Sequence, residues 1–102
     1  MMSQRKAIVV DEKDNVASAL ANLNKGETVE VTIGSIVYKI QLISDIPFGH
    51  KFALKRIPRG EYVIKYGEVI GRASRDIEVG EHVHVHNVES LRARGDLQKT
   101  SL

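Results

Sequence analysis

The stretch that decides the fold runs from Ile46 to Asn87 and reads IPFGHKFALKRIPRGEYVIKYGEVIGRASRDIEVGEHVHVHN. It contains all four histidines, both prolines and five of the eight glycines of the chain. The glycines divide it into short apolar runs, and glycine readily adopts the backbone angles that tight turns require. Short strands separated by frequent turns predict a compact, mostly β domain.

This stretch ends on the alternating segment His82-Val83-His84-Val85-His86. Because successive side chains of a strand point to opposite faces, we expect three imidazoles on one face and two core-facing valines on the other. Imidazole is the commonest metal ligand and carries protons near neutral pH. The alternation therefore fits a metal site, and it fits equally a polar ladder on the solvent side of an edge strand.

Length and composition limit what the chain can do. With 102 residues, 42% of them hydrophobic and 27% charged, it has the composition of one ordinary globular domain. A domain of this size buries a modest core and cannot also enclose a large catalytic cleft. The absence of cysteine excludes disulfides, zinc–thiolate sites and cysteine nucleophiles. The first apolar run is too short for a signal peptide or a membrane span, so we expect a cytoplasmic location.

The charge of the chain is small but unevenly distributed. A formal net charge of +2 is too low to predict nucleic-acid binding. Residues 51–75, however, carry seven Lys or Arg residues against two Glu residues. A basic segment of this kind is either a solvated strand face or a site for an anionic small molecule or an acidic partner.

The segment before this stretch predicts one helix. Asp14 is a candidate N-cap, because its carboxylate can accept hydrogen bonds from the free backbone N–H groups of a first turn. Val16, Leu20 and Leu23 follow at positions i, i+4 and i+7, which lie on one face of a helix. We therefore expect a short helix over residues 15–23.

Two alternating segments over residues 27–33 and 36–42 predict a hairpin around Gly34-Ser35. A two-residue loop with glycine first suits a type II′ turn, which fixes the register of the strands. The predicted pairs are Ile33 with Ile36, Val31 with Tyr38, Val29 with Ile40, Glu30 with Lys39, and Thr28 with Gln41. Apolar pairs then share one face and polar pairs the other, as a half-buried hairpin requires.

One short pattern recurs along the chain. An aliphatic residue, two variable residues, then Gly-Glu, one variable residue and Val occur three times, beginning at Leu23, Ile57 and Ile77. The spacing between copies is irregular, which excludes a solenoid repeat. The pattern predicts one type of turn that is used three times to begin a strand.

Three longer motifs carry a family resemblance. They are GHK-x-AL at residues 49–54, KYGEVIGRA at 65–73 and HVHVHN at 82–87. In order and spacing they resemble the SAF domain, the small N-terminal domain of the altronate and galactarate dehydratases. The small subunit of sulfolactate sulfo-lyase is similar in the same places. We therefore assign residues 1–89 to a SAF-like domain and residues 90–102 to a polar C-terminal tail.

The resemblance implies a β-clip fold of short bent hairpins and a metal-assisted lyase that dehydrates a sugar acid such as altronate or galactarate. It also implies a large catalytic lyase subunit as partner, because the catalytic bulk of the fused enzymes lies in a larger domain. The chain is then a small subunit or a fragment of a longer protein. The alternatives are a sulfolactate sulfo-lyase small subunit and a non-catalytic SAF binding module. Nucleic acid and membrane are not expected as partners, and self-association into a homo-oligomer stays open.

Dehydration removes a proton next to a carboxylate and expels a hydroxyl group. The site therefore needs a proton carrier, a cation for the carboxylate, and either a metal acting as Lewis acid or a protonated histidine for the leaving hydroxide. Arginine suits that last role because its planar fork matches a carboxylate. The candidate residues are His50 for catalysis; Lys51, Arg56 and Arg72 for the anionic hydroxy-acid substrate; and His82, His84 and His86 for a divalent transition metal, iron or manganese. We expect the chain to be inactive without its large partner.

Overall fold

The computed structural model describes residues 5–91, so most of the predicted tail lies outside the described residues. Within this range the chain forms strands and no helix, and the prediction of a mostly β fold is confirmed. No helix in the described part of the chain could therefore cross a membrane. The strands are β1 (Ala7–Ile8), β2 (Val16–Ala19), β3 (Thr28–Ile33), β4 (Ile36–Gln41), β5 (Lys51–Ala53), β6 (Tyr62–Lys65), β7 (Glu68–Ala73), β8 (His82–Val83) and β9 (Val88–Glu89).

These strands form three antiparallel sheets, in the orders β1-β2-β5-β8, β3-β4 and β6-β7-β9. The four-stranded sheet separates two hydrophobic cores. Ala17 and Phe52 face the first core, which the β3-β4 hairpin completes. Val16, Ala53 and Val83 face the second core, which β6 and β7 complete. Both faces of the sheet are therefore covered.

The prediction of a helix over residues 15–23 is wrong. Val16–Ala19 form strand β2, and all four residues are buried. Leu20, which the helix would bury, is 41% exposed. A strand with a core on each face shows no alternation of polar and apolar residues. Without that alternation, the apolar residues of this segment also matched the spacing of a helix. Asp14 caps no helix, since its buried carboxylate accepts a hydrogen bond from the backbone N–H of Gly67 at 2.8 Å.

The predicted hairpin is confirmed with its register. All five predicted residue pairs are present between β3 and β4. Gly34 has a φ of 58°, and Ser35 has no positive φ, which is the combination that a type II′ turn requires. Val29, Val31 and Ile40 are buried against the first core. The hairpin thus forms because one of its faces is apolar and its turn begins with glycine.

The recurring pattern forms turns, and residues 5–91 contain four turns of this geometry, one more than the three copies of the pattern. They cover residues 24–27, 47–50, 58–61 and 78–81. In each, the backbone N–H of the fourth residue donates to the carbonyl of the first over 2.9 to 3.1 Å. The third residue is a glycine with φ between 82° and 91°, as in a type II turn. The additional turn, 47–50, ends on His50.

Each of these turns is joined by the same two backbone hydrogen bonds to one residue that is distant in the sequence. In the turn at 47–50, the N–H of Gly49 donates to the carbonyl of Ala19, and the N–H of Ala19 donates to the carbonyl of His50. The turns at 24–27, 58–61 and 78–81 are held in the same way by Leu42, Ala73 and Ala53. His50 therefore stands on backbone that is fixed to the central sheet.

Candidate functional site

The topology brings His50 to the histidines near the C-terminus. His50 comes directly before β5, and Phe52 of β5 pairs with His82 of β8. Residues 50 and 52 point to the same face of the strand, because side chains alternate along it. The structure accordingly places the His50 ring against the His82 ring, at one end of the face that covers the first core.

Three imidazoles form a close cluster. His50 Nδ1 lies 2.8 Å from His82 Nε2, which is a hydrogen bond between rings. The rings of His50 and His84 are stacked, with centroids 4.0 Å apart and planes 17° from parallel. One nitrogen from each of His50, His82 and His84 lies within 4.8 Å of the other two. All three side chains are part-buried. Three convergent nitrogen donors are a set that a divalent transition metal could use.

The predicted strand through His86 is wrong. Strand β8 ends at Val83, and the chain then turns, with the N–H of Asn87 donating to the carbonyl of His84 at 3.1 Å. As a result Val85 is 81% exposed instead of facing the core. The exposed ring of His86 contacts only the edge of the cluster, at a centroid distance of 5.2 Å from His82. The structure thus groups His50, rather than His86, with His82 and His84.

Asn87 shapes the loop that carries the histidines, and the sequence analysis missed it. It has no exposed surface. Its side-chain oxygen accepts from the backbone N–H of His84 at 3.0 Å, and its amide donates to the carbonyl of His82 at 2.9 Å. Asparagine commonly makes such bonds to nearby backbone in turns, so the His-Asn dipeptide was the available signal.

The position of His50 also has a local explanation. In two sister turns the corresponding glutamates, Glu27 and Glu81, accept a hydrogen bond from the N–H of the turn's first residue, at 3.1 and 2.9 Å. In the turn of His50 the first residue is Pro47, which has no N–H. Residue 50 is therefore free of that structural role. Independently of the family resemblance, the histidine at a position where the sister turns have glutamate was a signal in the sequence for His50.

Burial and neighbouring positive charge disfavour protonation of His82 and His84. Burial first, and then the charges of His50, His86, His84 and Lys51, lower the pKa of His82 to about 4. The pKa of His84 is lowered by burial first and then by His50. His82 is thus neutral at pH 7, and neutral imidazole is the form that binds metal.

The lowered pKa of His82 predicts that the domain loses stability in acid. Between pH 6.5 and about 4 the unfolded chain binds a proton at His82 that the folded chain does not, so the free energy of unfolding should fall as pH falls through this window. Urea unfolding at a series of pH values measures this slope. The His82→Gln variant should show a shallower slope, and an unchanged slope would contradict the assignment.

Lys51 is the predicted substrate-binding residue that lies beside the histidines. Its pKa is lowered by burial first and then by the charge of Lys65. Within residues 5–91 its side chain makes no hydrogen bond or ion pair. With His84 it lines a hollow of about 180 Å³ whose other walls include the apolar side chains of Ile70 and Val88. A cation without a counter-ion at the edge of an apolar hollow suits the carboxylate of a ligand.

The two predicted arginines have other neighbours. Arg56 forms ion pairs with Asp76 at 3.2 Å and with Glu78 at 3.3 Å, which join two of the turns. Arg72 lies on β7, in register with Tyr62 of β6 and Glu89 of β9. In the structure Arg56 is therefore already paired with carboxylates of the chain itself.

The sequence profile of the altronate/galactarate dehydratase SAF domain matches residues 5–91. The chain belongs to this family. This SAF chain is 43% identical over 83 residues to altronate dehydratase of Bacillus subtilis, and 45% identical over 83 residues to altronate dehydratase of Escherichia coli. Each match covers 81% of this chain and 16% of the relative. The SAF chain thus spans a small part of these two enzymes.

A third relative is matched over nearly all of its own length. The (2R)-sulfolactate sulfo-lyase subunit alpha of Paracoccus pantotrophus is 47% identical over 62 residues, which are 61% of this chain and 92% of the relative. That relative consists almost entirely of the matched domain and is named as one subunit of an enzyme. The resemblance stated from the three sequence motifs is confirmed by the family match and by all three relatives.

Proposed function

We propose that this SAF domain is the small subunit, or the small domain, of a metal-assisted dehydratase that acts on a sugar acid such as altronate or galactarate. Its partner is a large catalytic lyase subunit or domain. Family membership and the two altronate dehydratase relatives support the reaction class. The main support for a catalytic role is the contact of His50 with His82. It brings two imidazoles, which can carry protons, together at a part-exposed edge of the domain.

The cluster can move a proton at a defined atom. His50 shares Nδ1 with His82, so Nε2 of His50 is the nitrogen that can exchange a proton with a substrate. As a neutral imidazole it accepts the proton next to the substrate carboxylate, and as an imidazolium it donates to a departing hydroxyl. A divalent metal such as iron or manganese, bound at the cluster, would replace the proton shared by His50 and His82. His50 would then stay a neutral ligand instead of passing through the imidazolium form, and the metal would supply the Lewis acid that stabilises the leaving oxygen.

Lys51 provides the substrate-orienting charge in this proposal. Its part-buried ammonium group has no counter-ion within residues 5–91 and lies with His84 along the same hollow. A substrate carboxylate held there would lie beside His84, the histidine that lines this hollow. Arg56 would have to leave Asp76 and Glu78 to take part, and that is why we assign the carboxylate to Lys51 first.

The exposure of the histidine site to solvent supports a partner subunit or domain that covers it. Two apolar side chains flank the histidines and face solvent: Phe48 is 65% exposed and Val85 is 81% exposed. Dehydration benefits from a site that excludes water, and a surface cluster on a small domain does not exclude it alone. A large lyase subunit docked over Phe48 and Val85 would bury them and close the site.

A second candidate is a sulfolactate sulfo-lyase small subunit. The 92% coverage of the Paracoccus pantotrophus subunit favours it, since that relative is a separate chain of nearly this domain alone. The same residues would serve, with sulfite leaving in place of hydroxide. A third function, a non-catalytic binding module, would use the hollow beside Lys51 without turnover.

A domain exchange tests the proposed function. The matched 83-residue segment of Bacillus subtilis altronate dehydratase is replaced by that of this chain, and altronate dehydration is assayed alongside the chain alone. We expect the hybrid enzyme to be active and the chain alone to be inactive. His50→Gln in the hybrid should lower kcat about 100-fold or more, because it removes an acid–base group.

The controls of this exchange separate the candidates. An active hybrid whose His50→Gln variant is fully active would remove the catalytic role and favour a binding module. A folded hybrid that is inactive on altronate, together with activity on sulfolactate when the chain is paired with a sulfo-lyase large subunit, would favour the second candidate. Turnover by the chain alone would contradict the need for a partner.

A further inference from the structure

We propose that His50, His82 and His84 are the ligands of one divalent transition metal ion, and that His86 lies outside this ligand set. The inference deepens the proposed function and rests on it only for the use of the metal in catalysis. The site itself rests on the geometry of this chain. It differs from the set read from the alternating segment, because it replaces His86 by a histidine 32 residues away from His82.

The positions of the three nitrogens fit one ion. Ligand nitrogens at about 2.0–2.1 Å from a tetrahedral metal lie roughly 3.4 Å from one another. In the structure the three nitrogens lie within 4.8 Å of one another, and one pair is 2.8 Å apart. Binding one ion requires the rings to rotate about their side-chain bonds, because the rings of His50 and His84 are stacked with planes 17° from parallel. Three protein ligands leave a fourth position for water or substrate, as catalytic sites do.

The donor set indicates the class of metal. The group contains imidazole only, with no carboxylate among the described residues that form it. Imidazole suits zinc, iron, copper and nickel, whereas magnesium and calcium prefer oxygen ligands. The hydrogen bond between His50 and His82 requires one of these two nitrogens to present a lone pair to the other ring, and an ion would take the place of the proton that the second nitrogen carries.

The backbone under the ligands is held in place before any ion binds. The carbonyl of His50 accepts from Ala19 of the central sheet, and His82 begins a strand that pairs with β5. The loop carrying His84 is fixed by the two side-chain bonds of Asn87. A surface ladder of histidines on one strand would have none of these constraints, and it would not draw His50 from a separate turn.

His86 provides the matched control. It is the same residue type, two positions after His84, but its ring is exposed and its contact to the cluster is a tilted one with His82 alone, at 36° between ring planes. For the variants we use glutamine, since it copies the shape of the glutamates at the position of His50 in three sister turns. His50→Gln should therefore keep the fold.

The test is metal titration of the full chain after treatment with a chelator. Zn²⁺ and Co²⁺ are titrated by calorimetry, and Co²⁺ is also followed by its visible absorption. We expect one ion per chain. The variants His50→Gln, His82→Gln and His84→Gln should each weaken binding by about 100-fold, and His86→Gln should leave the affinity unchanged. Urea midpoints of all four variants check that they fold.

A second measurement needs no variant. Side-chain nitrogen NMR of the wild-type chain should show that Zn²⁺ shifts one ring nitrogen of each of His50, His82 and His84 and leaves both nitrogens of His86 in place. Equal loss of affinity in His86→Gln and His84→Gln, or absence of stoichiometric binding, would overturn the proposal. Metal binding without activity of the hybrid enzyme would instead contradict the proposed function, so the two failures are distinguishable.

Discussion

Gly80→Ala is expected to lower the free energy of unfolding by about 3 kcal/mol or more, because no other turn glycine within residues 5–91 leaves so little room for a Cβ. A Cβ at this position would lie 2.2 Å from the carbonyl oxygen of Gln41, and the φ of +82° is itself unfavourable for alanine. The backbone cannot retreat, because the N–H of Gly80 donates to Ala53 and its carbonyl accepts from Ile43.

Gly34→Ala is the matched control. Gly34 also has a positive φ, +58°, but nothing lies within 4 Å of an added Cβ. Only the backbone strain remains, which costs about 1 kcal/mol. Urea unfolding of the two variants separates the steric cost from the strain. Equal losses would contradict the close contact at Gly80, and an unchanged midpoint for Gly34→Ala would contradict the type II′ turn.

Asn87→Ala is expected to lower the free energy of unfolding by about 3 kcal/mol and to disorganise the histidine loop. It leaves two part-buried backbone groups without their Asn87 partner, the N–H of His84 and the carbonyl of His82. An unsatisfied buried group costs about 1–3 kcal/mol, and the emptied volume adds to this. Urea unfolding measures the loss, and the Zn²⁺ titration described above should show weaker binding.

Asn87→Asp distinguishes the two hydrogen bonds. An aspartate can still accept from the N–H of His84, but it cannot donate to the carbonyl of His82. Its loss of stability should therefore lie between those of the wild type and Asn87→Ala. If Asn87→Ala has the stability and the metal affinity of the wild type, Asn87 does not position the histidines.

The hairpin could be predicted from the sequence and strand β2 could not, for one physical reason. The hairpin has one buried and one exposed face, so the polarity of most of its residues, with Val37 as an exception, indicates the face on which they lie. Strand β2 has a core on both sides, and its residues are small and apolar whichever way they point. Only the strands that cover it, which are remote in the chain, decide that residues 16–19 are extended.

The site was predicted in part for a similar reason. His82 and His84 are neighbours by chain position, and residue type alone singled them out. The turn that carries His86 away depends on a buried asparagine side chain, so local alternation did not reveal it. The contact of His50 with His82 depends on the pairing of β5 with β8. The family resemblance drew attention to His50, but the sequence alone could not place it within hydrogen-bonding distance of His82.

The hydrogen bonds that join the four turns to residues distant in the sequence affect how the chain folds. The turn at 47–50 is closed by Ala19, and the turn at 78–81 is closed by Ala53. The entropy of closing such long loops must be overcome before their contacts stabilise anything, so the domain should fold more slowly than a helical bundle of the same length. During synthesis, the turn of His50 can close on Ala19 early, but the histidine cluster can form only after residues 82–84 have left the ribosome, and it is therefore among the last features of the domain to form.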